Sequence, residues 1–150
     1  MSNCVMDSRD LDALVARAAE LVGKARGYGV TDPEVALGQA RKAAEAIARA
    51  IYARELGEPG KMLLNELLQR LAMHGLIPPT IQILLATIQV YGNFGSHAQS
   101  DPRPIDAAFI APALAALAAV VPWFFDEYLA RPAPPEIAAQ TTPQPRRRRW

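Results

Sequence analysis

Apolar residues return every three or four positions along most of this chain, and nowhere do they alternate with polar ones over a useful length. That period belongs to a helix with one buried face and argues against half-buried strands. Leu11, Leu14, Val15, Ala18, Leu21 and Val22 mark a first helix from Asp10 to about Arg26, stopped by Gly27-Tyr28-Gly29. Thr31-Asp32-Pro33-Glu34 reads as a start signal, with Thr31 as cap, Glu34 closing a capping box and Pro33 in the tolerant first turn. The second helix is expected to run to about Leu56, with Leu37, Ala40, Ala44, Ile47 and Ile51 facing inward. A third, roughly Lys61 to His74, uses Leu63, Leu64, Leu67, Leu68 and Leu71, and a fourth uses Ile81, Leu84, Leu85 and Ile88. The fifth begins near Ile105 and carries Ile110, Leu114, Leu117, Val121, Phe124 and Tyr128, with Pro112 and Pro122 expected to kink or break it. Ala and Leu are abundant while β-branched and aromatic residues are sparse, which favours helix further. The expectation is an all-α bundle of about five helices.

The chain divides into a frayed stub over 1–8, the bundle over 9–131, and a Pro/Arg-rich tail over 132–150 that is expected to be disordered or polyproline-like. The tail ends on Arg146-Arg147-Arg148-Arg149-Trp150 and suits a tether to another domain, while its arginines give mainly nonspecific attraction to polyanions. Residues 131–150 hold five Arg and one Glu, so the formal charge of +1 leaves −3 on the body. An acidic body argues against a nucleic-acid platform built on bulk charge. One cysteine, Cys4, allows no internal disulfide, and no secretory signal pattern opens the chain, so a cytoplasmic protein is expected. Residues 107–125 form an uncharged run of nineteen, long enough to span a membrane. Eight of them are Ala and two are Pro, and acidic residues bracket the run, so a buried core helix is the better reading.

Chemistry-bearing groups concentrate in Tyr91-Gly92-Asn93-Phe94-Gly95-Ser96-His97. If the fourth helix continues through it, Gln89, Asn93 and His97 share a face at i, i+4 spacings, and Gly92 and Gly95 leave a groove for another backbone. Arg41 and Glu45 on the second helix could join them in a polar network. Two histidines and one cysteine make no recognisable zinc site, and no glycine-rich phosphate loop is present, so neither metal nor cofactor is expected. His74 is placed at the end of the third helix, where an imidazolium complements the helix dipole.

The Gly92-Asn93-x-x-x-His97 pattern, with Ala40-Arg41-Lys42-Ala43-Ala44-Glu45 before it and Trp123-Phe124-Phe125 after it, resembles the HEPN superfamily over about residues 10–130. More closely, it resembles the bacterial branch of unknown function whose fourth helix ends in that signature. The resemblance implies a HEPN-like bundle, self-association as a homodimer through the fourth helix, and a place in bacterial defence or signalling beside a fused or separate effector. It also implies metal-independent RNA cleavage in members that carry Arg, four to six residues, then His. There the His moves a proton of the ribose 2′-OH and the Arg stabilises phosphoryl charge. This chain departs from that motif: Val90, Tyr91 and Gly92 stand where the Arg belongs, Gln89 is the nearest polar group upstream, and the cation would have to come from Arg41 on the second helix or from a partner. A noncatalytic protein-interaction module is therefore the expected function, with an endoribonuclease using His97, assisted by Arg41 or Gln89, as the alternative.

Overall fold

Alanine content decides which helix sits at the centre. The computed structural model describes residues 8–29, 31–96 and 105–132, which form five α-helices and no strand. These are α1 (Ser8–Tyr28), α2 (Pro33–Leu56), α3 (Leu64–Met73), α4 (Pro79–Ser96) and α5 (Ala107–Pro122), the last running directly into a π-helical turn, Trp123–Tyr128. The chain is an all-α helical bundle. Twelve residues of α2 are buried and eight of them are Ala, which lets α1, α3, α4 and α5 all approach it. The five residues expected to face inward on α2 are all buried. The main core joins Ala40, Ala44, Ile47 and Ile51 to Leu21, Leu67, Leu71, Leu85, Ile88, Leu117 and Phe124, and a smaller cluster of Ala36, Leu37, Ile110 and Ala113 closes the N-terminal end of α2 against α5.

Several local expectations need correction. The cap of α2 is Asp32, whose carboxylate accepts from the Val35 amide at 3.2 Å, rather than Thr31. Pro33 then fills the first helical position, so the cap lies one residue later than a Thr31–Glu34 box would put it. Leu63, expected in the core, precedes α3 and is 64% exposed. The loop before α3 is held from α2 instead: the Arg49 guanidinium donates to the carbonyls of Gly60 (2.8 Å) and Met62 (2.7 Å). Gly75, at φ 66°, ends α3 in a left-handed conformation that glycine adopts without strain. Leu114 and Val121 are half-buried, and the inner face of α5 is completed by Ala113, Ala116 and Val120.

Asp106 caps α5 through the Phe109 amide at 2.8 Å. Pro112 is accommodated inside the helix on its exposed side. Pro122 neither breaks the element nor passes unmarked, since the wider π turn begins at the next residue. A proline lacks the donor and crowds the carbonyl one turn earlier, so a change of helical pitch there relieves both. The π pitch is carried by the Leu129 amide donating to the Phe124 carbonyl at 3.0 Å. It sets Trp123 and Tyr128, five residues apart, with ring centroids at 5.5 Å. Helix and π turn together, Ala107–Tyr128, are long and apolar enough to cross a membrane, yet the inner face is packed into the bundle. Ser8, assigned to the stub, begins α1, while residues 1–7 and the tail beyond Pro132 lie outside the described residues.

A clasp from α2 fixes the end of the π turn. Arg54 donates to the carbonyls of Tyr128 (3.0 Å) and Arg131, and its guanidinium lies 4.9 Å from the Tyr128 ring centroid. The Tyr128 hydroxyl donates to the Glu55 carboxylate at 2.9 Å. Burial first, and then that carboxylate, push the Tyr128 hydroxyl well above the usual tyrosine range. A raised folded-state value contributes stability that is complete below the unfolded tyrosine value, about 10, and is lost as pH rises through the folded one. Tyr128→Phe is therefore expected to cost about 1–2 kcal/mol at neutral pH. In urea titrations its deficit against the wild type should narrow above about pH 10. A gap that stays constant with pH would remove the hydroxyl from the clasp.

Candidate functional site

Of the residues singled out around α4, Arg41 and Gly92 come together, while Glu45 pairs with Arg49 and Gln89 lines a separate groove. Gly92 is buried, and a Cβ built on it would lie 2.7 Å from both Cβ and Cδ of Arg41 and 2.9 Å from its Cγ. The stem of Arg41 thus occupies the space that the missing side chain leaves, and the groove expected to receive a second copy at Gly92 is filled from within the chain. Glu45, expected beside Arg41, pairs with Arg49 at 3.1 Å. That choice follows from helix geometry: an acid placed four residues before a base is the favoured order, and Arg49 is anchored by its two loop carbonyls. Gln89 lines an open groove between α3 and α4 with Asn65, Leu68, Gln69, Gln82 and Ala86. Asn93 is half-buried on α4. Gly95 continues the helical backbone, whereas His97 lies outside the described residues.

The aromatic members of the segment have a packing role. Tyr91 and Phe94 bracket Phe109 of α5, with centroids at 5.3 and 5.1 Å. Offset aromatic contacts of this kind add about 0.5–1.5 kcal/mol beyond area burial. So the Tyr-Gly-Asn-Phe stretch serves two seams at once, its rings toward α5 and its glycine toward α2.

One polar atom there lacks a partner. Arg41 Nε is buried without a hydrogen bond, a condition that costs about 1–3 kcal/mol for a neutral donor and more for a charged one. His74 is the exposed C-cap of α3, as the sequence suggested, its backbone amide donating to the Arg70 carbonyl at 3.0 Å. Among the described residues no three His, Cys, Asp or Glu side chains cluster as metal ligands would.

The side of α4 turned away from the core carries a feature outside the residues singled out above. Residues 79–96 contain no Asp, Glu, Lys or Arg, and Ile83 and Val90 are each 65% exposed on it. The signal was present: two β-branched aliphatics seven residues apart, off the core stripe of Ile81, Leu85 and Ile88. Compared with known proteins, the chain matches no family model, no curated protein and no solved structure.

Gly92→Ala tests the α2–α4 seam. Alanine is the better helix former by about 1 kcal/mol. The Arg41 Cβ cannot swing aside, however, so the two helices must part, and overpacking of this kind costs about 1–3 kcal/mol. A net loss in thermal or chemical stability is expected, against a gain for Gly38→Ala, where a Cβ meets nothing within 4 Å. Equal gains at both positions would show that Arg41 does not close the groove.

Proposed function

We propose that this chain is a noncatalytic, HEPN-like protein-interaction module that self-associates as a homodimer. The resemblance sets it in a bacterial defence or signalling system, in the cytoplasm, where it would hold a fused or separate effector. The observation that carries the interaction role is the outer side of α4, an uncharged helix face exposing Ile83 and Val90. Burying what remains exposed of these two is worth about 1–2 kcal/mol per side chain. Four such side chains in a dimer give about 4–8 kcal/mol, comparable with the lower part of the cost of immobilising two chains, about 4–15 kcal/mol. The surplus is then at most about 4 kcal/mol, so association is expected to be weak and concentration-dependent, approaching the millimolar range, rather than obligate. Light scattering on the eluting protein should show the mass rising from 16.3 kDa toward twice that value as concentration increases. A strict monomer throughout, hundreds of micromolar included, removes the self-association reading.

The buried, unpartnered Arg41 Nε favours a second reading. A guanidinium with an unused Nε donor, on the helix packed against α4, suits an endoribonuclease in which His97 moves the proton and Arg41 stabilises the phosphoryl oxygens. On that reading single-stranded RNA is cleaved in EDTA, with activity lost in His97→Ala, retained in His74→Ala and lowered about a hundred- to a thousand-fold in Arg41→Ala. Absence of cleavage, alone or with candidate partner proteins, eliminates it.

A further inference from the structure

We propose that two copies of this chain meet through the outer side of α4, antiparallel about a two-fold axis between Ala86 and Thr87. Ile83 of each copy then covers Val90 of the other, while the amides of Gln82 and Gln89 pair across the contact. The proposal rests on the self-association reading above and names its surface and register.

Three features select a second copy as the occupant. The first is charge. A two-fold contact brings each residue near the axis against its own kind. Charged side chains repel there, whereas aliphatic ones do not, and a primary amide, being donor and acceptor at once, complements itself. Residues 79–96 carry no charge, and the four polar residues lining the groove beside this face, Asn65, Gln69, Gln82 and Gln89, are all amides. The same neutrality disfavours the tail as occupant, since α4 offers no carboxylate to Arg146–Arg149, and disfavours a phosphate backbone, since it offers no cation.

The second feature is spacing. Ile83 and Val90 lie seven residues and about 10.5 Å apart on one face, with Ala86 and Thr87 midway between them. Antiparallel pairing about that midpoint matches Ile83 with Val90 twice and puts the two small side chains where the helices cross. Burying Thr87 there strands no donor, because its hydroxyl already donates to the Ile83 carbonyl at 2.8 Å. The third is symmetry. A two-fold axis lying across α4 in the plane of contact keeps α3 on the same flank in both copies. The two amide-lined grooves therefore face each other, with Gln82 opposite the partner's Gln89 rather than opposite bare solvent.

The test uses complementary charges on the full chain. Ile83→Glu and Val90→Lys change exposed positions and are expected to keep the wild-type circular dichroism. Each is expected to weaken self-association by about a hundred-fold or more, because a homodimer of either buries two unpaired charges. Mixed in equal amounts, the two chains place the introduced glutamate of one against the introduced lysine of the other. The unchanged Val90 of the first chain then meets the unchanged Ile83 of the second, and the heterodimer should recover within about ten-fold of the wild-type affinity. Native mass spectrometry distinguishes it from either homodimer. Recovery in the mixture supports both the face and the antiparallel register. Single variants that dimerise like the wild type overturn this face while leaving self-association standing. Single variants that are monomeric but fail to recover on mixing overturn the register. A monomeric wild type removes the proposal together with the reading beneath it.

Discussion

The close approach of four helices to an alanine-lined α2 is the constraint from which the rest of this structure follows. A helix whose buried positions were mostly Leu or Phe would push its neighbours outward, and helix axes come nearest where the facing side chains are small. With eight of twelve buried positions as Ala, α2 takes α1, α3, α4 and α5 around it and still contributes Leu37, Ile47 and Ile51 as larger fillers. The same closeness explains why α4 has glycine at position 92. The Arg41 stem leaves α2 toward α4 and has nowhere to lie except across a residue without a side chain. Polar groups of α2 are pushed to its edges, where Arg41, Arg49 and Arg54 each reach a different neighbour. Three arginines on one helix thus tie down α4, the loop before α3 and the end of the π turn.

That arrangement shows how much was legible beforehand. Element identity was, because every helix carries a 3.6-residue apolar stripe, and Ile47, Leu67, Leu85 and Leu117 sit in the core as their spacing requires. Boundaries were less so, since Thr31 and Asp32 are both competent caps and only the path of the loop chooses between them. The π turn was not legible at all. Pro122 announces a disturbance, but whether an α-helix answers by kinking, stopping or widening depends on what it packs against. Here Arg54 and Glu55 from α2 receive Tyr128 only if it lies where the wider pitch puts it.

The candidate site was legible in its composition and not in its partners. Helical spacing placed Gln89 and Asn93 on one face with His97, and placed Arg41 beside Glu45 on α2. Partner choice, however, is a competition. Arg49 takes Glu45 because two loop carbonyls already hold its guanidinium, a condition created by the α2–α3 loop and invisible in local spacing. Ile83 and Val90 were passed over for the opposite reason. Scattered surface aliphatics are ordinary, and they become informative only once the fold shows the pair aligned on a charge-free face beside a groove of amides.

The two sides of α4 therefore answer different demands with different chemistry. Its packed positions are specialised by shape: Gly92 for the Arg41 stem, Tyr91 and Phe94 for the Phe109 ring, Leu85 and Ile88 for the core. Each position there admits few alternatives, because a displaced atom has a packed neighbour. The outer side is specialised by the absence of charge, which packing within one chain does not require and solvent alone does not favour. A solvated helix of eighteen residues gains solubility from charged side chains at no cost to its core, and every other helix of the described bundle except α5 carries them. In α5 the neutral outer positions are mainly alanine and proline, which offer a partner little area to bury. In α4 they include Ile83 and Val90, which offer more, so of the two uncharged surfaces α4 is the one with apolar area worth removing from water.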